Sequence, residues 1–372
     1  MTIGVLREPA FENRVSLLAE NLSPLLKSGI AVIVETGAGL HACCSDQDYE
    51  REGATILSRE EVLNRSDVLL SLHDELIGTS LQHKILIGIY QPLYRYEVME
   101  KWAGQGIISF SLDMLPRTTR AQTMDVLSSQ ANIAGYKAVL IASTLFPRYL
   151  PMFMTAAGTI APARVMILGA GVAGLQAVAT ARRLGAVVEV FDTRTAVKEE
   201  VLSLGGRFIE VPGAADASAA GGYAVEQSAD FQERQRAKIA ETVAKSDIII
   251  TTAQIPGKPA PILISAAMIE TMKKGSVIID LAAATGGNTE LTKNGETIVH
   301  QGVTISGSSS LASTMPYDAS KLYGRNVVNF IKLITGTGGA LHMNYEDDLV
   351  RGCCITRDGQ VVHERVKSLL GN

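Results

Sequence analysis

The chain has 372 residues, of which 47% are hydrophobic and 19% are charged, with a formal net charge of −4. A chain of this length buries a large core and most often forms two domains. The charge shows neither a basic excess nor a long run of one sign, so we expect no nucleic acid as a partner. The cysteines form two adjacent pairs, Cys43 with Cys44 and Cys353 with Cys354, without zinc-site spacing. We therefore expect no metal and a reducing compartment.

The first segment of the sequence alternates short β-branched stretches with helical ones. Its opening residues, 1–14, are typical of a strand and a charged turn and lack the apolar stretch of a signal peptide, so we expect no export. The alternation predicts a parallel sheet with helices on both faces. The predicted strands are residues 3–6, 30–35, 67–71, 85–89 and 107–112.

A second α/β series follows, and the tail predicts two more strands, 354–356 and 361–362, that return to the first domain. Two long predicted helices, 128–146 and 317–335, join the series. The sequence therefore predicts an α/β chain of two Rossmann-like domains with parallel sheets joined by long helices, the first domain discontinuous. We place the first domain at 1–127 and 319–372, and the second at 128–318. The strands of the second series are predicted at residues 165–168, 187–191, 207–211, 248–252, 277–281 and 303–306, and its helices include 174–184 and 265–272.

One segment has the pattern of a dinucleotide-binding turn. A predicted strand leads into Gly169, Gly171 and Gly174, and a helix with apolar periodicity follows. The first glycine permits the tight bend, the second lets a pyrophosphate approach the backbone, and the third allows helix and strand to pack closely. We assign these glycines and Val172 to the cofactor site. Residues 165–181 carry no charge, but the glycines and flanking arginines favour strand, turn and helix over a membrane span.

An acidic residue completes this pattern. Asp192 follows the next predicted strand, eighteen residues after the third glycine. A carboxylate there accepts hydrogen bonds from the adenosine ribose hydroxyls and repels a 2′-phosphate, which favours NAD over NADP. The alternative for Asp192 is a turn residue at a strand end. We include Arg194 in the site, where it either pairs with the pyrophosphate or faces solvent.

Longer stretches resemble one family over essentially the whole chain. They are PRTTRAQTMDVLSSQANIAGY, MTAAGTIAPARV, the glycine turn, AGGYA, ITTAQIPGKPAP and VIIDLAAATGGN. With these segments the chain resembles the NAD(H)-binding component of proton-translocating, Re/Si-specific NAD(P) transhydrogenase, a family related to alanine dehydrogenase. The resemblance implies a subunit that transfers hydride between its own NAD(H) and NADP(H) bound by a partner subunit. It further implies coupling to proton translocation and activity only with partner subunits.

The resemblance also implies catalytic residues. In the family an Arg, a Gln, an Asp and a Ser of the first stretch line the nicotinamide site, and they correspond here to Arg117, Gln122, Asp125 and Ser128. Gln122 offers a donor and an acceptor to a carboxamide or ribose, while Arg117 and Asp125 either pair or separate to hold the ring and its ribose. Without the resemblance, the segment is typical of a polar helix N-terminus with Ser128 as a capping residue.

A segment rich in Gly, Ala and Ser, residues 213–230, is too long for an ordinary connection. It is either a lid or a disordered surface insertion. The resemblance assigns Gly222 and Tyr223 to a lid that closes over NAD(H), and Gln235 to the cofactor site. At one lining position that is apolar in relatives, this chain has Gln254.

A soluble dehydrogenase of the alanine dehydrogenase type is the main alternative, because the segment ENRVSLL retains Arg14 at the place of its substrate arginine. Oxidation of an amino acid requires an acid and a base, which are a lysine and a histidine in that family. The matching strand ends, VLLSLHDE and IGIYQPL, lack the lysine and have a tyrosine at the histidine position, with His73 the one candidate for a displaced base. Hydride transfer between nicotinamides moves no proton at the reacting carbons, so these losses favour transhydrogenase.

A third hypothesis is an NAD-binding regulatory module without activity, and the retained set from Arg117 to Ser128 argues against it. The resemblance implies a homodimer that docks on membrane-embedded and NADP(H)-binding transhydrogenase subunits. We therefore expect a cytoplasmic protein, peripheral on the inner face of the plasma membrane, without a membrane span of its own.

Overall fold

The computed structural model describes residues 1–75, 81–213 and 228–371. The chain forms two compact units, which we call unit 1 (Met1–Gln130 and Ser313–Asn372) and unit 2 (Ala131–Ala312). The predicted lid residues Gly222 and Tyr223 lie outside the described residues. None of the helices in the described part of the chain is both long enough and apolar enough to cross a membrane.

The first segment of unit 1 alternates strands and helices, and its last helix continues into unit 2. Its elements are β1 (Thr2–Val5), α1 (Ser23–Lys27), β2 (Ala31–Glu35), α2 (Asp46–Arg51), β3 (Thr55–Leu57), α3 (Arg59–Arg65), β4 (Val68–Leu70), β5 (Ile85–Gly88), α4 (Tyr96–Gly104), β6 (Ile108–Ser111) and α5 (Val126–Leu145).

Unit 2 opens with a hairpin of two short strands and continues with a second alternating series. Its elements are β7 (Phe153–Thr155), β8 (Gly158–Ile160), β9 (Arg164–Leu168), α6 (Val172–Arg183), β10 (Val187–Phe191), α7 (Lys198–Ser203), β11 (Arg207–Phe208), α8 (Ala229–Val243), β12 (Ile248–Thr251), α9 (Ala266–Glu270), β13 (Val277–Asp280), β14 (Thr297–His300) and β15 (Val303–Ser306).

The chain then returns to unit 1, and the two tail strands extend the sheet of that unit. This segment contains α10 (Pro316–Leu333), α11 (Asp348–Cys353), β16 (Cys354–Arg357), β17 (Gln360–Val361) and α12 (Glu364–Lys367).

The sheet of unit 1 has the strand order β17-β16-β6-β5-β4-β1-β2-β3. All of its neighbouring strands run parallel except β16, which is antiparallel to β6, and β17, which is antiparallel to β16. Strand β1 lies between β2 and β4, so chain order reverses at this strand. Alternate residues of the strands enter two apolar clusters, with Ile3 and Val32 in one and Ile33 and Leu69 in the other. Both faces of the sheet are therefore buried, as parallel sheets require.

The sheet of unit 2 has the order β11-β10-β9-β12-β13-β15-β14 and is parallel except for the edge pair β14 and β15. Its faces are likewise buried, since Val165 and Ile167 belong to one apolar cluster and Met166 and Leu168 to the other. Strand β9 lies between β10 and β12, which makes its carboxyl end the point where strand order reverses. Ligands of open α/β sheets bind at this point. The predicted α/β class with two Rossmann-like, mainly parallel sheets is confirmed.

Candidate functional site

The turn after β9 contains the predicted glycines. Gly169 has a φ of +104°, which lies in the left-handed region that favours glycine. A Cβ on Gly169 would lie 2.4 Å from Oγ1 of Thr252. The N–H of Gly169 donates to the carbonyl of Phe191 at 2.9 Å. The turn therefore joins the ends of β9 and β10 and leaves no room for a side chain at its first position.

The other two glycines differ in what surrounds them. A Cβ on Gly174 would lie 1.8 Å from the carbonyl oxygen of Gly169, so this glycine lets α6 pack directly on the turn. A Cβ on Gly171 would have no neighbour within 4 Å among the described residues. Gly171 precedes Val172, the first residue of α6, where helix N–H groups lack intrahelical partners. The open space at Gly171 and these donors fit a pyrophosphate.

Asp192 follows β10, and its side chain is only 6% exposed. Its Oδ2 accepts from the N–H of Ala170 at 2.7 Å and from Nη2 of Arg194 at 2.7 Å. Its Oδ1 accepts from the backbone N of Arg194 at 2.8 Å and from Nε of Arg194 at 2.9 Å. Together they use the roughly four lone-pair positions of a carboxylate, so a ribose hydroxyl that donates to Asp192 has to replace one of the bonds from Arg194. The hydrogen bond with Asp192 raises the pKa of Arg194.

Neighbouring strand ends of unit 2 are tied together by polar side chains that the sequence did not single out. The hydroxyl of Thr252 donates to the carbonyls of Leu168 and Gly169. The amide of Asn288 accepts from the N–H of Ala253 at 3.0 Å and donates to the carbonyl of Ala253 at 2.9 Å. Asn288 ends the stretch VIIDLAAATGGN, which was a signal for its importance.

The remaining predicted residues of unit 2 lie on two elements. Gln254 follows β12, and its amide donates to the carbonyl of Leu281 at 3.1 Å. Its side chain therefore spans two strand ends. Gln235 is half-buried on α8, in the helix that precedes β12 along the chain.

The four predicted catalytic residues lie in and around a 3-10 helix, Thr119–Met124, that precedes α5. Arg117 and Gln122 are exposed, whereas Asp125 and Ser128 are half-buried. Asp125 accepts from the N–H of Ser128 at 2.9 Å and from its hydroxyl at 2.6 Å. Asp125 therefore caps α5, so the alternative interpretation of Ser128 as the capping residue is wrong, while its assignment to the nicotinamide site stays a prediction. The helix begins at Val126, two residues earlier than predicted, which makes Ser128 the third residue of its first turn.

A cluster of charged residues lies at the carboxyl ends of β1 and β4 in unit 1. The guanidinium of Arg14 donates to Glu12 through Nε at 2.9 Å and through Nη2 at 2.6 Å, and to Oε1 of Gln130 at 2.9 Å. Nε2 of His73 lies 2.9 Å from Oε2 of Glu12. Glu8 accepts from the N–H of Leu72 at 2.7 Å.

Burial and charge act in opposite directions on the two glutamates of this cluster. Burial raises the pKa of Glu8 to about 8. Burial also tends to raise the pKa of Glu12, but hydrogen bonds from Arg14 and His73 outweigh it and hold that pKa well below its usual range. At neutral pH, Glu12 is thus the anion that balances Arg14, and Glu8 is mostly protonated.

The tyrosine at the predicted histidine position, Tyr90, is 1% exposed. Its hydroxyl lies 3.3 Å from Oγ of Ser71, and its ring packs edge-on against Trp102 with the centroids 4.9 Å apart. Burial raises the pKa of Tyr90 far above the ordinary value. Tyr90 therefore keeps its proton at any physiological pH and does not act as a base.

Comparisons with known proteins identify the family of the chain. Residues 4–134 match the family model "Alanine dehydrogenase/PNT, N-terminal domain", and residues 138–364 match "Alanine dehydrogenase/PNT, C-terminal domain". The chain belongs to this family.

Within the family, the chain is similar to proteins of the transhydrogenase branch. It is 40% identical to the NAD(P) transhydrogenase subunit alpha of Haemophilus influenzae over 368 residues, which cover 97% of this chain and 72% of that protein. The solved transhydrogenase structure from Sinorhizobium meliloti superposes with a TM-score of 0.89 at 41% identity, covering 97% of this chain and 100% of that one. Alanine dehydrogenase 1 of Staphylococcus aureus is 26% identical over 329 residues, 82% of this chain and 80% of that protein. The resemblance stated from the sequence is confirmed, with alanine dehydrogenase as the more distant relative.

Proposed function

We propose that this member of the alanine dehydrogenase/PNT family is the NAD(H)-binding subunit of a proton-translocating NAD(P) transhydrogenase. In this function, hydride passes between NAD(H) bound to this chain and NADP(H) bound to a partner subunit. The transfer is Re/Si-specific, requires the partner and is coupled to proton translocation across the membrane.

Binding of NAD(H) to unit 2 is supported by the turn after β9. The left-handed backbone of Gly169, the space at Gly171 and the first turn of α6 form a cradle for a pyrophosphate. Asp192 lies at the end of the next strand, where it forms an ion pair with Arg194. A carboxylate there disfavours a 2′-phosphate, so the proposed cofactor is NAD(H) rather than NADP(H).

The choice of transhydrogenase over amino-acid dehydrogenase rests on the cluster at the strand ends of unit 1. Arg14, the residue expected to hold a substrate carboxylate, is bound to the carboxylate of Glu12. His73 is hydrogen-bonded to that same carboxylate, and Tyr90 holds its proton. Imine chemistry requires groups that exchange protons with the substrate, whereas hydride transfer between two nicotinamides requires only their placement and the exclusion of water. This arrangement is the observation that carries the proposal.

For unit 1 we propose that Arg117, Gln122, Asp125 and Ser128 hold the nicotinamide end of the cofactor. Gln122 is exposed at the surface of unit 1 and offers both a donor and an acceptor. Ser128 donates hydrogen bonds to Asp125 at the start of α5, which fixes the carboxyl-terminal end of the segment from Arg117 to Ser128. Gln235 and the lid residues Gly222 and Tyr223 remain part of the proposed site as expectations from the family.

We further propose that two copies of the chain form a homodimer that is peripheral to the membrane through membrane-embedded and NADP(H)-binding subunits. The hairpin β7–β8 supports self-association, because all six of its strand residues are exposed. Met152, Phe153 and Met154 are 61%, 45% and 69% exposed. An isolated two-stranded hairpin is only marginally stable in water. Because this hairpin carries no charge, it is suited to pack against a second copy of the chain.

The deciding experiment mixes the purified chain with an NADP(H)-binding transhydrogenase subunit and follows single-turnover hydride transfer from NADH to an NADP analogue. Transfer is expected only when both proteins are present. Gln122→Asn shortens the side chain by one methylene and keeps both hydrogen-bonding groups. We expect this variant to transfer hydride at least about 10-fold more slowly, since small misplacements of reacting groups are costly, with little change in NADH affinity. Loss of NADH affinity with an unchanged transfer rate would instead make Gln122 a binding residue.

A further inference from the structure

The 3-10 helix that carries Gln122 packs against unit 1 through its apolar residues. Ala121 and Met124 are 3% and 5% exposed and belong to the same apolar cluster as Val327 and Phe330 of α10. Gln122 lies outside this cluster and is exposed. A segment of six residues in 3-10 geometry is stabilised weakly by its own hydrogen bonds, so its position depends on contacts with α10.

Two asparagines of α10 hold the carbonyl of the residue that follows Gln122. Nδ2 of Asn326 donates to the oxygen of Thr123 at 2.8 Å, and Nδ2 of Asn329 donates to it at 3.1 Å. The asparagines are three residues apart, which places them on one face of the helix. A carbonyl oxygen has two lone pairs, and each asparagine uses one. The peptide group between Thr123 and Met124, one residue beyond Gln122, is thereby fixed in two directions.

The surroundings of Asn326 indicate that packing alone does not account for an asparagine at this position. The residue is 8% exposed, and none of the described residues donates a hydrogen bond to its Oδ1. A buried acceptor without a partner destabilises a fold. An apolar side chain of similar size would fill the position without that loss, but it would not hold Thr123.

A second anchor of the segment is formed by Arg120. Its guanidinium donates to Asp347 through Nη1 at 2.8 Å and through Nη2 at 2.6 Å, and it also contacts Asp348. Asp347 itself caps α11 by accepting from the N–H of Leu349 at 2.9 Å. Because Arg120 is half exposed, this pair adds orientation more than stability.

We propose that Asn326 and Asn329 are positioning residues for hydride transfer, which act by fixing the Thr123 carbonyl and, through it, the side chain of Gln122. This inference rests on the proposed function and on the role given there to Gln122. Neither asparagine touches the cofactor in this scheme.

The test uses Asn326→Leu, which removes both the bond to Thr123 and the unpartnered oxygen. We expect thermal stability equal to or above that of the unaltered chain, since no buried polar atom is left alone at this side chain. Single-turnover transfer from NADH to an NADP analogue on the partner subunit is expected to fall at least about 10-fold, with the NADH dissociation constant within about two-fold. Asn329→Ala should act in the same direction. Arg325→Ala, an exposed substitution on the same helix, is the matched control and should leave both quantities unchanged.

Two further measurements separate positioning from a general structural effect. Amide hydrogen exchange on the chain alone should become faster in residues 118–125 of Asn326→Leu and remain unchanged elsewhere. In a Gln122→Asn background, Asn326→Leu should cost much less transfer rate than in the unaltered chain, because both changes then act on one group.

Unchanged exchange in residues 118–125, or additive effects of the two substitutions, would overturn the inference. An unaltered transfer rate despite faster exchange would do the same. If the unaltered chain transfers no hydride with its partner, the proposed function itself fails, and the exchange experiment still reports whether the asparagines fix the segment.

Discussion

Replacement of Asp192 by asparagine tests cofactor selection at the turn of unit 2. The side chain keeps its shape and loses its charge, and its amide nitrogen cannot accept from Arg194. Hydrogen bonds to a charged group are worth about 1.5–3 kcal/mol, so we expect NADH to bind roughly 10- to 150-fold more weakly. Arg194, released from a carboxylate 2.7 Å away, becomes available to a 2′-phosphate, and NADPH should bind more tightly than before.

The assay is quenching or enhancement of nicotinamide fluorescence on titration of NADH and NADPH into the chain without its partner. Glu189→Gln is the matched control, because Glu189 lies on the same strand and pairs with Arg207 at 3.6 Å instead. The double variant Asp192→Asn/Arg194→Met tests whether Arg194 binds the 2′-phosphate, and it should bind NADPH more weakly than Asp192→Asn alone. Unchanged NADH affinity in a folded Asp192→Asn variant would refute the role given to this carboxylate.

Four further outcomes are expected. The chain should not reduce NAD with L-alanine, and steady turnover would favour amino-acid dehydrogenase. Gly171→Ala should leave the melting temperature unchanged and weaken NADH binding, whereas Gly174→Ala should lower the melting temperature, because only the second Cβ meets the backbone. Burial raises the pKa of Glu8 to about 8, so the stability contributed by its protonated form is fully present below pH 4.5 and is lost as pH rises through 8. In urea unfolding from pH 6 to 9, the free energy of unfolding of Glu8→Gln should therefore rise relative to that of the unaltered chain. Parallel dependence of the two free energies on pH would contradict this. Met154→Asp should shift sedimentation from dimer to monomer, and a persistent dimer would exclude the hairpin β7–β8 as the dimer interface.

The sequence predicted the strand, glycine turn and helix of unit 2 because each signal is local. The period of the apolar residues, the glycine spacing and the acidic residue after the next strand all lie within thirty residues. Four of the described strands escaped prediction. Strands β3 and β14 are sheet edges with exposed residues, and β7 and β8 form an exposed hairpin. Edge strands lack the continuous apolar run that marks a buried strand, so a pattern search does not detect them.

Long-range hydrogen bonds were not predictable. Thr123 and Asn326 are 203 residues apart, and no sequence pattern connects a carbonyl with an amide at that separation. The cap of α5 shows a related limit at short range. Both Asp125 and Ser128 are good capping residues, and which one caps depends on where the helix begins, a boundary that sequence patterns locate poorly.

The two units differ at the carboxyl end of the strand where strand order reverses. In each unit strand order reverses at one strand, and open α/β sheets bind ligands at the carboxyl end of such a strand. In unit 2 that end is a glycine turn with open space at Gly171. In unit 1 the corresponding end is filled by side chains that satisfy one another, with Arg14 and His73 both on the carboxylate of Glu12. A substrate carboxylate that enters there would have to displace the buried carboxylate of Glu12 from Arg14. This exchange costs free energy unless the substrate binds Arg14 more strongly than Glu12 does. Unit 2 is therefore suited to take up a dinucleotide, while in unit 1 the segment that carries Gln122 is hydrogen-bonded to α10.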